Sequence, residues 1–416
     1  MPGLKLSIPN KTKLAATLKL NGSKSISNRV LMMQALAGKA GEITNLSNAQ
    51  DTTTLLRLLS NAKDQILDAG DAGTTYRFMT AYLATRPERS FLTGSMRMLE
   101  RPIGILVEAL NQIGANIRYG GKTGYPPLQI DSPLFDTTET PTLKIDSSVS
   151  SQYLSALLII APSLPTGLRI VLEGDTVSEP YIKMTCSLMN YFGIEIFRQG
   201  SIFHIEPQAY ETKAIHIESD WSAASYYYAM AALSEDAVDL QLKTLYKDSV
   251  QGDAVIAAIM QKLGVKTTYH ADGSIQIQKM KTKDIARFEY DFTNCPDLAQ
   301  TIAVVLAGLG VNGILTGLQT LKIKETDRIV ALKTELEKLG AKVEITDNSL
   351  EIKEGIKKAD SKTPALIATY KDHRMAMAFA PLVLKLGSLK FDNKEVVNKS
   401  YPAFWEDLKA LGFVVK

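Results

Sequence analysis

A short basic segment near the N-terminus carries the residue types that bind anions. It reads Asn21-Gly22-Ser23-Lys24-Ser25-Ile26-Ser27-Asn28-Arg29, and an apolar stretch typical of a helix follows at once. Backbone N–H groups at a helix start, small hydroxyls and fixed cations together form an anion site. The common phosphate loop differs, because it has a second glycine before its lysine. The segment predicts binding of a small phosphorylated or carboxylated molecule. The alternative is a capped helix start with solvated Lys24 and Arg29.

Four further segments combine charged or hydroxyl groups with a predicted helix start. They are Asp71-Ala72-Gly73-Thr74-Thr75-Tyr76-Arg77, Arg97-Met98-Leu99-Glu100-Arg101-Pro102-Ile103-Gly104, Ser147-Ser148-Val149-Ser150-Ser151-Gln152 and Lys322-Ile323-Lys324-Glu325-Thr326-Asp327-Arg328. In the last segment, a helix would place Lys324 and Arg328 on one face. Each segment can also be interpreted structurally, as a helix cap or a surface ion pair. We expect Asp51 to be a helix N-cap and His373 to lie beside a capping Asp372.

The composition limits the classes of function. A chain of 416 residues with 45% hydrophobic residues is long enough for two apolar cores. The net charge of +3 is too small to indicate nucleic acid binding by bulk attraction. Cys186 and Cys295 have neither metal-ligand spacing nor a disulfide framework. The N-terminus lacks the apolar core of a signal peptide, and no apolar stretch is long enough to span a bilayer. We therefore predict a cytoplasmic protein without membrane or nucleic acid partners.

A repeated junction of a helix end, a glycine and an alternating strand organises the chain. The copies contain Gly114, Gly193, Gly264, Gly340 and Gly412, which are 71 to 79 residues apart. A glycine just past a helix adopts the left-handed C-cap conformation, and the alternation after it indicates a half-buried strand. The spacing exceeds that of solenoid repeats, so each copy is interpreted as a sizeable βα module.

The first copy of this repeat is degenerate and short. Asn61 stands where the glycine is expected, and only twenty residues separate Asp51 from Asp71, too few for a full set of strands. Six copies in one chain predict an α/β protein with two pseudo-symmetric lobes, each of three βα repeat units. We expect one lobe to be trimmed at the first copy.

Together with further segments, these motifs resemble the enolpyruvyl transferases over essentially the whole chain and in the same order. The segments are Gly22-Ser23-Lys24-Ser25 with Asn28-Arg29, Ala72-Gly73-Thr74, Glu100-Arg101-Pro102-Ile103-Gly104, Ser150-Ser151-Gln152, Ser178-Glu179-Pro180-Tyr181, Pro296-Asp297, Lys324-Glu325-Thr326-Asp327-Arg328, Asp372-His373-Arg374-Met375-Ala376-Met377 and Lys399-Ser400-Tyr401-Pro402. The Lys-Glu-Thr-Asp-Arg and Asp-His-Arg-Met-Ala sequences are the most distinctive of these. The resemblance implies a chain that crosses twice between its lobes. One lobe would hold residues 22–218, and the other residues 1–21 plus 219–416.

The resemblance also implies a reaction of the shikimate pathway of aromatic amino acid biosynthesis. The carboxyvinyl group of phosphoenolpyruvate would pass to the 5-hydroxyl of shikimate 3-phosphate, through a tetrahedral intermediate, with release of phosphate. No metal or organic cofactor is implied, and we expect a monomer. Both substrates carry a phosphate and a carboxylate, which bidentate arginines suit well.

The site residues follow from the same resemblance. Shikimate 3-phosphate would be bound by Lys24, Ser25, Arg29, Ser150, Ser151, Gln152, Ser178, Tyr181, Asp297 and Lys324. Phosphoenolpyruvate would be bound by Lys24, Gly73, Arg101, Gln152, Arg328, Arg374 and Lys399. Since a hydroxyl loses a proton while a methylene carbon gains one, two positioned acid–base groups are needed. We expect Asp297 to take the hydroxyl proton, and Glu325, with Lys24 nearby, to serve the methylene carbon.

Two other functions remain open from the sequence. One is the related transfer to UDP-N-acetylglucosamine, for which neither cysteine lies in the expected loop. The other is a non-catalytic anion-binding relative. The chain also departs from the usual family pattern, with Asp71 in place of Asn, Thr75 in place of Ala, Phe78 in place of Pro and Thr320 in place of Asn.

Overall fold

The chain divides into two compact units. The computed structural model describes residues 3–9, 13–146, 151–174, 177–280, 285–357 and 363–416. One unit, here called the inserted unit, is Gly22–Ile217. The other, the discontinuous unit, is Met1–Asn21 with Glu218–Lys416. The chain thus leaves the discontinuous unit after its first strands and returns to it at Glu218, one residue before the boundary given by the resemblance.

Helices and strands alternate through both units. The strands are β1 Leu4–Ser7, β2 Leu14–Lys19, β3 Ile43–Thr44, β4 Ile66–Asp68, β5 Ser90–Thr93, β6 Asn116–Tyr119, β7 Leu128–Asp131, β8 Thr142–Asp146, β9 Leu168–Glu173, β10 Phe197–Gln199, β11 Ile202–Ile205, β12 Ile215–His216, β13 Val238–Lys243, β14 Val265–Tyr269, β15 Ile275–Lys279, β16 Phe288–Asp291, β17 Gly313–Thr316, β18 Lys342–Ile345, β19 Leu350–Glu354, β20 Ala365–Ile367, β21 Ser388–Phe391 and β22 Val414–Val415. The helices are α1 Lys24–Ala37, α2 Gln50–Ser60, α3 Gly73–Ala84, α4 Met96–Leu99, α5 Gly104–Gln112, α6 Ser151–Ile160, α7 Glu179–Tyr191, α8 Trp221–Leu233, α9 Ile256–Lys262, α10 Ala299–Leu309, α11 Arg328–Lys338, α12 His373–Phe379, α13 Val383–Leu386 and α14 Phe404–Ala410. Within the described ranges, no helix is long and apolar enough to cross a membrane.

The discontinuous unit repeats one sheet topology three times. Its sheets have the strand orders β14-β15-β13-β2, β16-β17-β19-β18 and β20-β21-β1-β22. In each sheet a parallel pair is extended by two antiparallel strands; for example, β2 pairs in parallel with β13, Leu14 opposite Val238. The third sheet takes its hairpin from both chain ends, since β1 lies antiparallel to β21 and to β22.

The inserted unit has the same topology in two sheets and a reduced version in the third. The orders β4-β5-β7-β6 and β10-β11-β9-β8 repeat the pattern of one parallel and two antiparallel pairings. In the described residues, the third sheet has only the parallel pair β3–β12, with Ile43 opposite Ile215. The expected trimming is therefore confirmed, and what is missing is the antiparallel hairpin.

The repeated glycines adopt the predicted conformation. Gly114, Gly193, Gly264, Gly340 and Gly412 all have positive φ, between 82° and 106°. Each lets the chain turn from a helix end into the strand that follows. The degenerate copy does not follow this rule, because Asn61 has φ −114° and is not left-handed.

Each unit has its own core, built around three buried helices. In the discontinuous unit α8, α10 and α12 pack against one another, and in the inserted unit α1, α3 and α6 do so. These helices are apolar around most of their circumference, as expected of fully buried helices. Their first turns begin in the predicted motifs: Lys24 in α1, Gly73 in α3, Ser151 in α6 and Arg374 in α12. The fold therefore brings the motif residues to helix N-termini.

Candidate active site

A buried carboxylate holds Lys24 in the inserted unit. Lys24 is the first residue of α1, and the side chain of Ser23 caps this helix by accepting from the Ile26 N–H at 3.4 Å. The Lys24 ammonium lies 3.0 Å from Oδ2 of Asp51, whose side chain is 4% exposed. The prediction that Asp51 caps α2 was wrong, because Ala49 occupies the cap position. Asp51 instead fixes the direction of the Lys24 side chain.

Arg29 is buried among neutral acceptors. Its Nε donates to Oγ1 of Thr185 at 2.8 Å, and its Nη groups donate to the Ser25 carbonyl at 2.9 Å and to Ser155 Oγ at 3.0 Å. Burial lowers the pKa of Arg29 to about 10, so the guanidinium stays protonated at neutral pH. A buried cation with neutral neighbours favours a nearby anion, because it lacks a negative charge to balance it. Ser25, half-buried, takes part here through its backbone carbonyl.

Gly73 lies directly against the guanidinium of Arg101. A Cβ at residue 73 would lie 2.9 Å or less from three guanidinium atoms, so only glycine permits this approach. The Arg77 guanidinium donates to the Gly73 carbonyl at 2.9 Å and to the Pro102 carbonyl at 3.2 Å, which joins the two segments. Among the described residues, no side chain caps the start of α3, and its first N–H groups together with the adjacent cation suit an anionic group.

Helix α6 begins beside α3. Ser151 is its half-buried first residue, and Gln152 donates from Nε2 to Oγ1 of Thr74 at 3.1 Å. This hydrogen bond links the first turns of the two helices. Ser150 lies outside the described residues.

Ser178 and Tyr181 stand at the start of α7. Ser178 precedes the helix with φ +57°, a conformation that is costly for a residue other than glycine and is found most often at functional sites. The Tyr181 carbonyl accepts from Thr185 Oγ1 at 2.8 Å and from Arg29 Nη2 at 3.5 Å. The α7 start is therefore tied to the buried guanidinium of Arg29.

Two of the departures from the family pattern have physical roles in the inserted unit. Thr75 Oγ1 donates to the Asp51 carbonyl at 2.7 Å, which joins α3 to α2. The ring of Phe78 lies under Arg29, with its centroid 5.6 Å from the guanidinium carbon. Of the other two, Asp71 accepts a hydrogen bond from the Ser95 hydroxyl. Thr320 is in the discontinuous unit, and its Oγ1 has no hydrogen-bond partner in the described part of the chain.

A single arginine binds three carboxylates in the discontinuous unit. Arg328 begins α11 and is 2% exposed. Its Nε lies 2.6 Å from Asp372, its Nη1 2.9 Å from Asp297 and its Nη2 2.9 Å from Glu325. Burial alone would lower the pKa of Arg328, but the three carboxylates raise it above its ordinary value. Arg328 is therefore a permanent cation that organises the acidic groups around it.

Two arginines orient the carboxylate of Asp297. Asp297 lies in the short turn Pro296–Leu298 before α10. Its Oδ1 accepts from Arg328 at 2.9 Å and its Oδ2 from Arg374 at 2.9 Å. The Asp297 side chain is 20% exposed, so it stays accessible while its direction is fixed. A carboxylate held in this way is suited to accept a proton from a bound hydroxyl.

Glu325 is held between two cations. Its Oε2 binds Arg328, and its Oε1 lies 2.8 Å from the Lys399 ammonium. The prediction that Lys324 and Arg328 share a helical face was wrong, because α11 begins only at Arg328. Asp327 caps this helix by accepting from the Ile329 and Val330 N–H groups, while Lys324 precedes it in an extended conformation.

Asp372 has a larger role than the sequence indicated. It caps α12 by accepting from the Arg374 N–H at 2.9 Å, as predicted, and His373 beside it is buried. The same carboxylate also binds Arg328, 44 residues away in the sequence. The sequence signal for this second role was the position of Asp372 directly before the basic pair His373-Arg374.

Asp253 was missed altogether. It lies 3% exposed in the turn Gly252–Val255, where its Oδ2 accepts a short hydrogen bond from the Ser222 hydroxyl. The same hydroxyl accepts from Arg374 Nη2 at 3.4 Å. Ser222 therefore connects Asp253 to the Arg374–Asp297 pair. Its sequence signal, Gln251-Gly252-Asp253 ahead of a helix, resembles an ordinary turn.

The predicted site residues therefore form one contact network in the discontinuous unit and several linked sites in the inserted unit. In the discontinuous unit the network joins Asp297, Glu325, Arg328, Arg374 and Lys399. In the inserted unit, side-chain or backbone contacts link Ser25 and Tyr181 to Arg29, Gln152 to the start of α3, and Gly73 to Arg101.

Comparisons with known proteins identify the family of the chain. The family model of EPSP synthase (3-phosphoshikimate 1-carboxyvinyltransferase) matches residues 8–63 and 57–408. The chain belongs to the EPSP synthase family. A 3-phosphoshikimate 1-carboxyvinyltransferase of Bacteroides fragilis is 44% identical over 412 residues, covering 99% of this chain and 98% of the relative. One of Neisseria meningitidis is 34% identical, covering 95% of this chain and 96% of the relative.

The fold also matches a solved structure of the family. EPSP synthase from Acinetobacter baumannii superimposes with a TM-score of 0.79 at 20% identity, covering all of both chains. This likeness establishes the two-lobed α/β fold expected from the repeat.

Proposed function

We propose that the chain transfers the carboxyvinyl group of phosphoenolpyruvate to the 5-hydroxyl of shikimate 3-phosphate and releases phosphate. Membership of the EPSP synthase family supports this reaction over transfer to UDP-N-acetylglucosamine. The observation that carries the proposal is the pair Asp297 and Glu325, both bound to the buried Arg328. An anion-binding relative without catalysis would not need two oriented carboxylates among its cations.

Asp297 is assigned to the hydroxyl of shikimate 3-phosphate. The hydroxyl oxygen attacks the carbon that carries the phosphate in phosphoenolpyruvate, and its proton passes to the Asp297 carboxylate. Hydrogen bonds from Arg328 and Arg374 fix the direction of that carboxylate before the reaction begins. The preorganised geometry removes the cost of orienting the base in the transition state.

Glu325, with Lys24, is assigned to the methylene carbon. That carbon gains a proton when the tetrahedral intermediate forms, and it loses one when phosphate leaves and the double bond returns. The proton that Glu325 or Lys24 gives to the methylene carbon in the first step returns to the same group in the second, so that group ends as it began. Glu325 is held in place for both steps by Arg328 at 2.9 Å and by the Lys399 ammonium at 2.8 Å. Arg101, Arg374, Arg328, Lys399 and Lys24 supply positive charge for the phosphate and carboxylate of phosphoenolpyruvate.

The remaining residues are assigned to shikimate 3-phosphate. Arg29 holds the starts of α1, α6 and α7 together, and Ser25, Ser151, Gln152, Ser178 and Tyr181 offer hydroxyl and amide groups at those starts. Ser150 and Lys324 are proposed with them from their motifs. Hydroxyl-rich helix N-termini suit a phosphate and its neighbouring sugar-like hydroxyls.

The test is phosphate release on mixing the two substrates. Asp297→Ala should lower kcat by roughly two to four orders of magnitude while both substrates still bind, because a positioned base contributes about that much. Asp291→Asn, which changes an exposed carboxylate on the preceding strand, is the matched control and should leave kcat unchanged. Near-normal turnover of Asp297→Ala would contradict the assignment, and release with UDP-N-acetylglucosamine as acceptor would contradict the substrate.

We also propose that the chain works as a monomer in the cytoplasm, without a metal or organic cofactor. Each step assigned above is proton transfer or displacement that side chains can perform. Sedimentation at assay concentrations tests the monomer, and full activity after dialysis against a chelator tests the independence from metal.

A further inference from the structure

Asp253 is a buried carboxyl group for which the reaction as assigned has no use. Its side chain is 3% exposed and receives one hydrogen bond, from the Ser222 hydroxyl. Its second oxygen, Oδ1, has no hydrogen-bond partner among the described residues. An ionised carboxylate buried in this way is costly unless a cation or several donors balance it.

A short chain of hydrogen bonds connects this carboxyl to the proposed base. The Ser222 hydroxyl donates to Asp253 and so turns an oxygen lone pair toward Arg374, which donates to it at 3.4 Å. Arg374 in turn donates to Asp297 at 2.9 Å. Asp253 and Asp297 therefore compete for the charge of one guanidinium, one directly and the other through a serine.

The other charged groups that face Asp253 act on its charge in opposite directions. The nearby acidic groups are Asp297 and Asp220, and both oppose a negative charge there, while Arg374 favours it. The Cys295 thiol is neutral, because burial raises its pKa to about 12. Burial first, and the charge of Asp297 second, raise the pKa of Asp253 to about 7. The carboxyl therefore keeps its proton to a higher pH than an ordinary aspartic acid does.

We propose that Asp253 takes up a proton when the anionic substrates bind, and that it acts as a positioning residue for Arg374. The proposal rests on the proposed function in one respect, namely that Arg374 binds phosphoenolpyruvate. A substrate carboxylate or phosphate at Arg374 adds negative charge beside a carboxyl that is already poorly balanced. Neutralising Asp253 is then the least costly response, because it removes a buried charge rather than adding one.

The variant Asp253→Asn imitates the neutral carboxyl, since the amide has nearly the same shape and no charge. The first measurement is thermal unfolding of the wild type and the variant between pH 5 and 8. A carboxyl with a raised pKa makes the folded state bind more protons than the unfolded state, so wild-type stability falls as pH rises from the ordinary value toward about 7. The variant should therefore gain in Tm over the wild type as pH rises and level off above pH 7.

The second measurement is calorimetry of phosphoenolpyruvate binding to the complex with shikimate 3-phosphate, in buffers of different ionisation enthalpy. Near pH 7.5 the wild type should take up more protons than Asp253→Asn, by up to one proton per site, since the ionised fraction of Asp253 is protonated on binding. The difference should vanish near pH 5.5, where Asp253 is already protonated. Protons released by the substrates themselves cancel in the comparison. Asp239→Asn, an exposed carboxylate on β13, is the control and should match the wild type.

The outcomes separate this proposal from the proposed function. Equal proton counts with intact binding, or a Tm difference that is constant with pH, would overturn the role of Asp253 and leave the reaction untouched. Absence of substrate binding to the wild type would instead overturn the proposed function. Should Asp253→Asn not fold, Ser222→Ala serves in its place: loss of the donor to Asp253 should move the pH range of proton uptake upward, and an unmoved range would contradict the proposal.

Discussion

Two buried arginines, one in each unit, have the same exposure and opposite surroundings. Arg29 and Arg328 are both 2% exposed and both lie in the first turns of a helix. Three carboxylates surround Arg328, whereas the partners described for Arg29 are hydroxyls, carbonyls and a ring. The pKa of Arg328 is accordingly raised, and burial lowers that of Arg29.

The difference indicates that the buried arginine has a different role in each unit. In the discontinuous unit, positive charge is already balanced and serves to aim Asp297 and Glu325, which suits proton transfer. In the inserted unit, the partners described for Arg29 are neutral, and no anion is among them. Burying a cation without an anion costs stability, so we expect an anionic ligand near Arg29 to stabilise this unit.

Replacing each arginine by methionine should separate the two environments most strongly. Arg328→Met removes one cation from each of three carboxylates, of which Asp372 is fully buried, and should destabilise the chain by about 3–5 kcal/mol. Arg29→Met leaves only neutral groups unpaired and should cost about 1–3 kcal/mol. Thermal unfolding of both variants at pH 7.5 measures the difference. Equal losses of stability in the two variants would show that the carboxylates do not depend on Arg328.

A methyl group at residue 73 should disturb the inserted unit without touching the acidic cluster. Gly73→Ala pushes the Arg101 guanidinium away from the start of α3, since the new carbon would lie 2.9 Å or less from three of its atoms. Displacements of this size cost up to about 100-fold in kcat/KM, and the loss should appear as a raised KM for phosphoenolpyruvate. Gly121→Ala, whose new carbon meets only Pro127 at 3.8 Å, is the control. An unchanged KM would mean that Arg101 does not contact phosphoenolpyruvate.

The smallest effect is expected from the carboxylate that holds Lys24. Asp51→Asn keeps the shape of the side chain but removes the ion pair at 3.0 Å, so the ammonium loses its fixed direction. A charged hydrogen bond of this kind is worth about 1.5–3 kcal/mol, which predicts a loss of at least about 10-fold in kcat/KM. Asp64→Asn, an exposed residue just beyond α2, controls for the change in net charge. Steady-state kinetics with both substrates distinguishes them, and equal values for both variants would remove Asp51 from the site.

The sequence predicted the repeat because its signals are local. A glycine after an amphipathic helix and an alternating strand after the glycine suffice to define each copy, and Gly114 through Gly412 adopt the expected conformation. The trimmed first copy could also be recognised, from the short distance between Asp51 and Asp71. The exact first residues of the helices could not be predicted. Asp51 is not the cap of α2, and Lys324 is not in α11 but precedes it in an extended conformation. At α2 the cap position is held by Ala49, which makes no side-chain cap, while the better capping residue Asp51 pairs with Lys24. Local capping preference therefore does not decide where this helix begins.

The order of the modules and the position of basic and hydroxyl residues at helix N-termini could be read from the sequence, because both depend on spacing over short stretches of chain. The pairing of opposite charges could be seen only in the folded chain. Arg328 binds Asp372, 44 residues away in the sequence, and Arg374 binds Asp297, 77 residues away. Asp253 is connected to Arg374 by the Ser222 hydroxyl, which donates to Asp253 and accepts from Arg374. Electrostatic energy in a protein interior depends on distance and burial, and neither is written in the local order of residues.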